Sequence, residues 1–219
     1  GWAAVARRLA PSDTRPGPRV GQELDAVLLD AGGVIVVPDP HATGPVLARF
    51  GGATDLATLV RAHYVGMRAH AGSTSEGSGI WLDYLRAYVA AAGVTAEALD
   101  GAVVALTRVF GHRIWRHPLI ETVVALERLR AAGTPLGVVS NADGQVEAVL
   151  AHQGCCQVGP GGGVEVDVVV DSSVVGVEKP DAAVFAPALE VMAGLGVDPG
   201  RIGYVGDSLR YDVAGARAA

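Results

Sequence analysis

The sequence has few cysteines, few aromatic residues and few charges. Of its 219 residues, 2 are cysteines, 5% are aromatic and 18% are charged. The two cysteines, Cys155 and Cys156, are adjacent, and vicinal cysteines form a disulfide only with strain. This excludes a secreted scaffold held together by disulfides. A reducing compartment fits best, so we predict a cytoplasmic protein.

Long apolar runs are also missing, although half of the residues are hydrophobic and the mean hydropathy is +0.33. The longest candidates, 26–37 and 164–177, are interrupted by Asp30 in the first case and by Glu165 and Asp167 in the second. Neither reaches the roughly 18 to 20 apolar residues of a membrane span. The N-terminus lacks the charge and apolar pattern of a signal peptide. We therefore expect no membrane partner, and we interpret the short valine-rich runs as strands of a buried parallel sheet.

Basic clusters and nucleotide-binding motifs are absent from the sequence. Lysine and arginine together number 17 against 23 acidic residues, which gives a net charge of −6 and argues against nucleic acid as a partner. No G-x-G-x-x-G follows the first predicted strand and there is no Walker lysine, which excludes the usual nicotinamide and P-loop sites. The length and the apolar fraction exclude disorder and allow one core with a large insertion.

The chain divides by composition and periodicity into an arm, a core and an insertion. Residues 1–22 contain the proline- and glycine-rich linker PSDTRPGPRVG and are predicted to be an N-terminal arm. Residues 41–116 show helical periodicity and predict an all-helical segment of about four helices. The predicted core comprises the remainder, residues 23–40 and 117–219.

Helix and strand patterns alternate within the predicted core. This alternation is typical of an α/β protein with a doubly wound parallel sheet, here with the helical segment inserted after the first strand. The predicted strands are 24–30, 136–139, 166–170 and 201–205, and the predicted helices are 118–132, 144–152, 181–195 and 209–218.

Acids and small polar residues follow the predicted strands. Ligands of open α/β sheets bind at the carboxyl ends of the strands. Carboxylates there suit Mg²⁺, while a hydroxyl and an ammonium group suit phosphate oxygens. Each residue alone also has an ordinary explanation as a turn residue, a helix cap or a solvated loop residue. The residues concerned are Asp30, Ser140, Asn141, Asp171, Asp207, Ser208 and Asp212, together with Lys179 in a loop.

Seven of these eight positions, all except Asp171, lie in four ordered motifs that resemble those of the haloacid dehalogenase-like hydrolase superfamily. The motifs are AVLLDAGGVI with Asp30, LGVVSNADG with Ser140, VGVEKPDAAVF with Lys179, and IGYVGDSLRYDVAGARAA with Asp207 and Asp212. The segment 41–116 resembles the helical cap that closes over small substrates in one branch of this superfamily. The resemblance implies a Mg²⁺-dependent phosphatase of a small phosphorylated metabolite.

The resemblance also implies a role for each motif residue. Asp30 would be the catalytic nucleophile, which forms an aspartyl-phosphate that water then hydrolyses. Ser140, Asn141 and Lys179 would bind the phosphoryl group, and Ser140 and Lys179 would also stabilise its charge during transfer. Asp212 would complete the catalytic set by orienting Lys179 or a metal-bound water.

Gly32 departs from the pattern of most phosphatases in the superfamily. They carry a second aspartate at this position, which protonates the leaving oxygen and later activates water. Such general acid–base help is worth about 10²–10⁴-fold in rate. The implied ligands of Mg²⁺ are unaffected, because position 32 contributes its backbone carbonyl; they are Asp30, Gly32 and Asp207.

Gly32 leaves three functions open. The first and favoured one is a phosphatase that is slow, restricted to good leaving groups, or supplied with an acid from elsewhere. The second is a 2-haloacid dehalogenase, whose halide leaves without a proton; that branch needs no metal and usually has an aromatic residue at this position. The third is a binding or regulatory protein without turnover. The replacement acids nearest in sequence are Asp39, His41, Asp143 and Glu178.

Residues of the helical segment carry weaker functional indications. Trp81, Tyr84 and Tyr88 share one helical face, which favours the core of the segment over contact with substrate. The six histidines show no spacing typical of a metal site and are expected at the surface or in the helical segment. Three arginines of the segment could meet an anionic substrate, although solvated positions are more common: Arg68, Arg86 and Arg113.

The end of the sequence also carries an expectation. Relatives in the superfamily continue past the helix predicted at 209–218 into a further strand, so we expect the printed sequence to be part of a longer chain. Without that further strand, the strand predicted at 201–205 would be an unprotected edge of the sheet. Such an edge can pair with a second copy of the chain, so a homodimer is one expected assembly.

Overall fold

The computed structural model describes residues 23–75 and 77–219, so the predicted arm at 1–22 lies outside the described residues. In chain order the strands are β1 (Ala26–Leu29), β2 (Val36–Pro38), β3 (Trp115–Pro118), β4 (Leu136–Ser140), β5 (Cys156–Val158), β6 (Val164–Val166), β7 (Val168–Asp171) and β8 (Ile202–Val205). The α-helices are α1 (Pro40–Ala48), α2 (Leu56–Gly72), α3 (Ser78–Ala91), α4 (Leu99–Thr107), α5 (Ile120–Ala131), α6 (Val146–His152), α7 (Ser172–Val175), α8 (Ala186–Gly194) and α9 (Ala214–Ala218).

Four strands form a parallel sheet in the order β7-β4-β1-β8. The first strand, β1, pairs with β4 on one side and with β8 on the other, so the strand order reverses at β1. In open α/β sheets a ligand crevice forms beside such a reversal, at the carboxyl ends of the strands. Asp30, which directly follows β1, lies at this position.

The sheet is covered on both faces. Leu28 of β1 packs into a core cluster with Met192 of α8, while the next residue, Leu29, packs into a second cluster with Leu126 of α5 and Leu150 of α6. Successive side chains of a strand point to opposite faces, so each face of β1 has its own helical layer. The predicted doubly wound α/β fold is confirmed.

Helices α1 to α4, residues 40–107, form a helical block between β2 and β3. The block has its own apolar core, in which Tyr84, Tyr88 and Leu106 are almost fully buried. Strands β2 and β3 pair in an antiparallel ladder at the base of the block. The sequence analysis missed this ladder because strands of three and four residues are too short to show periodicity.

The strand predicted at 166–170 is confirmed in part: β7 lies in the main sheet, but a second strand, β6, precedes it. Strand β6 pairs with β5 in a small separate sheet, and β7 pairs with β4 in the main sheet. Asp167 lies at the break: its carboxylate accepts a hydrogen bond from the Leu136 amide at 2.8 Å and pairs with Arg130 at 3.2 Å. These bonds hold the chain at the end of the main sheet while it changes partners.

Two predicted helices begin irregularly. The segment predicted as helix from residue 181 starts as a 3-10 turn at Ala182–Phe185, and α8 follows it. Pro187 has no amide hydrogen to donate to the carbonyl four residues earlier, which explains the delayed start. The helix predicted from residue 209 starts as a π-helical turn, Leu209–Val213, which contains Asp212. In the described part of the chain, no helix combines the length and the apolar character needed to cross a bilayer.

Candidate active site

The centre of the site is the ammonium group of Lys179, the only lysine of the sequence. Its side chain is 1% exposed, and its Nζ lies 2.7 Å from Asp212 Oδ1 and 3.0 Å from Asp30 Oδ1. Nζ also donates to the Tyr204 hydroxyl at 2.9 Å and to the Val139 carbonyl at 3.1 Å. A solvated loop lysine is therefore excluded, because this ammonium is buried and fully engaged.

Asn141 holds the backbone of Lys179 in place. The Lys179 amide donates to Asn141 Oδ1 at 2.8 Å, and Asn141 Nδ2 donates to the Lys179 carbonyl at 3.0 Å. The following peptide bond, Lys179–Pro180, is cis. The reciprocal pair makes Asn141 a positioning residue for Lys179, and its predicted contact with substrate stays a prediction.

Asp212 lies in the π-helical turn Leu209–Val213 and is buried. Besides Lys179, its Oδ1 accepts from the Tyr204 hydroxyl at 3.0 Å, and its Oδ2 accepts from the Ser208 amide at 2.9 Å. A Cβ atom at Gly206 would overlap the Asp212 side chain, so this close approach requires glycine. Asp212 is thus fixed by three partners and in turn fixes the ammonium.

Asp30 lies directly after β1, at the reversal of strand order. Its side chain is 13% exposed, and Oδ1 accepts from the Ala31 amide at 2.8 Å as well as from Lys179. Burial raises the pKa of Asp30 to about 6. The charge of Lys179 lowers this pKa, while the negative charges of Asp212 and Asp207 raise it further. Burial also opposes the charge of Lys179, but Asp30 and Asp212 outweigh it and raise the pKa of Lys179. Both groups are therefore charged at neutral pH.

Asp207 completes a cluster of three acids after β1 and β8. Ligand atoms of Asp30, Asp207 and Asp212 all lie within 4.8 Å of one another. This spacing allows a single cation to contact carboxylates from more than one of them. The cluster includes the two acids to which the resemblance assigns the metal.

His63 of the helical block contacts Asp207, which the sequence analysis did not foresee. His63 is completely buried, and its Nε2 lies 3.0 Å from Asp207 Oδ2. Its Nδ1 lies 3.0 Å from the hydroxyl of Tyr84, whose pKa is raised well above the usual value by burial. An ionised carboxylate can only accept hydrogen bonds, so the contact with Asp207 places a hydrogen on Nε2 of His63, which donates it to Asp207. No spacing rule links two residues 144 positions apart.

Gly33 makes this contact possible. It has a positive φ of 70°, and a Cβ atom there would overlap Asp207 Oδ2 and lie 2.8 Å from His63 Nε2. The hydroxyl of Tyr64 in α2 donates to the Gly33 carbonyl at 2.9 Å. Gly32 differs, since a Cβ atom there would only touch the Trp115 ring at 3.5 Å. Position 32 thus has room for a Cβ atom, whereas position 33 does not.

A cavity of about 710 Å³ lies between the sheet edge and the helical block. Its volume is in the range of small-molecule sites. All seven predicted site residues line it: Asp30, Gly32, Ser140, Asn141, Lys179, Asp207 and Asp212. The lining of the cavity also contains three aromatic residues, Trp81, Phe110 and Trp115.

Other residues considered from the sequence divide between the cavity and the scaffold. Asp143 and Glu178 line the cavity, while Asp39 caps α1 and pairs with Arg116 at 2.9 Å. Asp171 accepts from the amides of Gly144 and Ser173 and so caps the loop after β4.

The predictions for the helical segment are corrected in part. Tyr84 and Tyr88 lie in the core of the block as predicted, but Trp81 is 39% exposed and also lines the cavity. Two histidines of α2, His63 and His70, are buried, and His63 belongs to the site. None of the three arginines considered for an anionic substrate, Arg68, Arg86 and Arg113, lines the cavity in the described part of the chain.

Several solved structures are similar to this chain. They include a protein from Lactobacillus delbrueckii subsp. bulgaricus named as a candidate phosphoglycolate phosphatase (21% identity, 89% of this chain and 82% of that chain covered, TM-score 0.50). A HAD phosphatase from Thermococcus onnurineus is 24% identical over 89% of this chain and 82% of that chain (TM-score 0.45). A 2-haloacid dehalogenase from Pseudomonas syringae pv. tomato is 21% identical over 90% of this chain and 83% of that chain (TM-score 0.41).

The family of the chain follows from its sequence. No curated protein matches it. The model of one family, described as haloacid dehalogenase-like hydrolase, matches residues 24–219, which cover the whole sheet and the helical block. The chain therefore belongs to the haloacid dehalogenase-like hydrolases and is a hydrolase.

Proposed function

We propose that the protein is a Mg²⁺-dependent phosphatase that acts on a small phosphomonoester through Asp30. The observation that carries the proposal is the buried contact of Lys179 with both Asp30 and Asp212 at the floor of the cavity. An ammonium held beside an ionised carboxylate can bind a phosphoryl oxygen while the carboxylate attacks phosphorus.

The residues present fit Mg²⁺. The donors are oxygens, which Mg²⁺ prefers, and three carboxylates against one ammonium leave two negative charges that a divalent cation would balance. Asp30, Asp207 and the backbone carbonyl of Gly32 would hold the ion. When bound, Mg²⁺ would supply positive charge to the phosphoryl oxygens.

The protein side chains divide the reaction among them. Asp30 attacks phosphorus, and the ammonium of Lys179 together with the Ser140 hydroxyl stabilises charge on the transferring group. Asp212 and Asn141 keep Lys179 in position through its side chain and its backbone respectively. His63 holds the Asp207 carboxylate in one orientation.

Gly32 leaves both chemical steps without an acid or a base at this position, so each step depends on the substrate, on water or on another acid of the cavity lining, such as Asp143 or Glu178. No carboxylic acid at this position protonates the leaving oxygen, and no base at this position activates the water that hydrolyses the aspartyl-phosphate. We expect slow hydrolysis of the intermediate, with a loss within the range of about 10²–10⁴-fold that general acid–base catalysis supplies.

The helical block would act as a cap over the substrate. The cavity lies between the block and the sheet edge, and α2 contacts the catalytic loop through Tyr64 and Asp207 through His63. A substrate bound at Asp30 would therefore be enclosed by the block, which keeps bulk water from the reacting group.

A chromogenic assay with 4-nitrophenyl phosphate tests the proposal. We expect turnover with Mg²⁺, loss of turnover with EDTA, and loss in Asp30→Asn. A matched control is Asp100→Asn, because this side chain is 80% exposed and pairs with Arg86 on the helical block. Failure of Mg²⁺ to raise turnover above the Asp30→Asn background on a broad panel of phosphate esters would reject the phosphatase and favour a binding role.

One observation favours dehalogenation as a second candidate. The Trp115 ring lies 3.5 Å from the position of a Cβ atom at Gly32, so an aromatic group occupies the space beside position 32, where dehalogenases usually carry one. The excess of carboxylates in the cluster argues for a metal and hence against this candidate. Halide release from a 2-haloacid in EDTA would support it.

A further inference from the structure

Part of the cavity lining is apolar and aromatic, and we call the surface formed by Trp81, Phe110 and Trp115 the aromatic wall. The Trp115 ring lies 6.0 Å from the Phe110 ring and 6.3 Å from the Trp81 ring, so the three form one continuous surface. Aromatic rings bind other rings in stacked or edge-to-face arrangements at such spacings. Three apolar residues of the helical block, Met67, Leu82 and Leu85, also line the cavity.

The described lining of the cavity carries almost no positive charge apart from the ammonium of Lys179. Among the described residues that line it, Lys179 is the only cation, and its ammonium is already in contact with Asp30 and Asp212. Asp143 and Glu178 add negative charge to the lining. A second anionic group on a substrate, such as a carboxylate or another phosphate, would meet no counter-charge there and would be repelled by these acids.

The chemistry at Gly32 points to the same class of leaving group. An alkoxide is a poor leaving group unless an acid protonates it, and position 32 has no acid. A phenol has a pKa of about 10, as in tyrosine, so its oxide leaves without general acid help. A substrate whose leaving group is an aryl oxide therefore does not need the proton that an aspartate at position 32 would supply.

We propose that the substrates are aryl phosphate monoesters whose leaving group carries no second negative charge; the inference rests on the proposed function. The ring packs against Trp81, Phe110 and Trp115, and the phosphate lies at Asp30. A carboxylate oxygen of Asp30 bonds to phosphorus as the bond from phosphorus to the aryl oxygen breaks. The aryl oxide takes the bonding electron pair and then a proton from water. A second water releases inorganic phosphate and restores Asp30.

A panel of four phosphorylated compounds, three monoesters and one acyl phosphate, tests the inference by varying the aromatic ring and the quality of the leaving group independently. It contains 1-naphthyl phosphate (ring, good leaving group), benzyl phosphate (ring, poor leaving group), acetyl phosphate (no ring, good leaving group) and phosphoglycolate (neither, with an additional carboxylate). We expect kcat/KM to be highest for 1-naphthyl phosphate and lowest for phosphoglycolate, by about 10²-fold or more.

The panel distinguishes the two possible failures. Mg²⁺- and Asp30-dependent turnover of phosphoglycolate at least as efficient as that of 1-naphthyl phosphate would overturn the inference and leave the phosphatase intact. Turnover of none of the four compounds would overturn both the inference and the proposed phosphatase.

A variant of the wall gives a second test. Trp81→Ala is expected to lower the ratio of kcat/KM for 1-naphthyl phosphate to that for acetyl phosphate by about tenfold, the loss of one favourable ring contact. Trp81 also contacts the rings of His70, Tyr84 and Trp115, so the folded state of the variant is confirmed by its urea-unfolding transition before the ratios are compared. The control is Ile120→Ala, since Ile120 is 63% exposed on α5 and does not line the cavity. An unchanged ratio in Trp81→Ala would contradict the proposed contact.

Discussion

Replacing Asp30 by asparagine is expected to stabilise the metal-free protein above pH 7. Burial raises the pKa of this carboxyl from 3.8 to about 6. Between these two values the folded chain binds more protons than the unfolded chain, so the free energy of unfolding falls as the pH rises. About two pKa units correspond to about 3 kcal/mol. Asparagine is neutral throughout and avoids this loss.

The attraction of Lys179 does not reverse the sign. It is one of the contributions to the raised pKa of Asp30, and burial outweighs it. After the substitution, Lys179 still contacts Asp212, Tyr204 and the Val139 carbonyl. We therefore expect equal stability of the two proteins below about pH 4 and an advantage of Asp30→Asn that grows to about 3 kcal/mol by pH 7.

The assay is urea unfolding in EDTA at several pH values, with Asp100→Asn as the control for an exposed aspartate. An advantage of Asp30→Asn that does not change between pH 4 and pH 7, or a less stable variant at pH 7, would refute the reasoning. Added Mg²⁺ is expected to make the wild type the more stable of the two proteins. An ion that binds the folded wild type stabilises it, and Asp30→Asn binds the ion more weakly because one of its ligands is missing.

Three further substitutions test separate parts of the site. Lys179→Met is expected to destabilise the protein by about 3–5 kcal/mol in urea unfolding, because two buried carboxylates lose their partner; a loss below about 1 kcal/mol would contradict the buried pair. Gly32→Asp is expected to raise turnover of alkyl phosphates, because it restores an acid at this position and its Cβ atom meets only van der Waals contact with Trp115; unchanged or lower turnover in steady-state assays would show that another group supplies the acid. His63→Phe is expected to weaken Mg²⁺ binding by about 10–100-fold in calorimetric titration, because Asp207 loses its donor; unchanged affinity would contradict a positioning role.

The sheet and its acids could be predicted from the sequence because each acid follows a short apolar run. Asp30 and Asp207 end their strands, and parallel strands bring their carboxyl ends to one edge. The same argument failed at Asp171, which caps a loop, since an acid at a strand end can serve either purpose. Position relative to a strand therefore predicts proximity to the site but not the role of the residue.

The contacts from the helical block could not be predicted. His63 meets Asp207 only because α2 packs over the loop after β1, and no sequence pattern specifies how a helical block is oriented on a sheet. The aromatic wall shows the same limit. Helical spacing correctly placed Tyr84 in the core of the block, but it could not separate it from Trp81, which is partly exposed and faces the cavity.

The central claim is that Asp30 becomes phosphorylated during turnover, and mass spectrometry of acid-quenched protein tests it most directly. After mixing with Mg²⁺ and 1-naphthyl phosphate, the account predicts one added phosphoryl group on the peptide that contains Asp30. The adduct should accumulate towards one per chain, because Gly32 leaves its hydrolysis without a base, and it should be depleted in Gly32→Asp. Product release with no adduct on that peptide, or an adduct that persists in Asp30→Asn, would contradict the account.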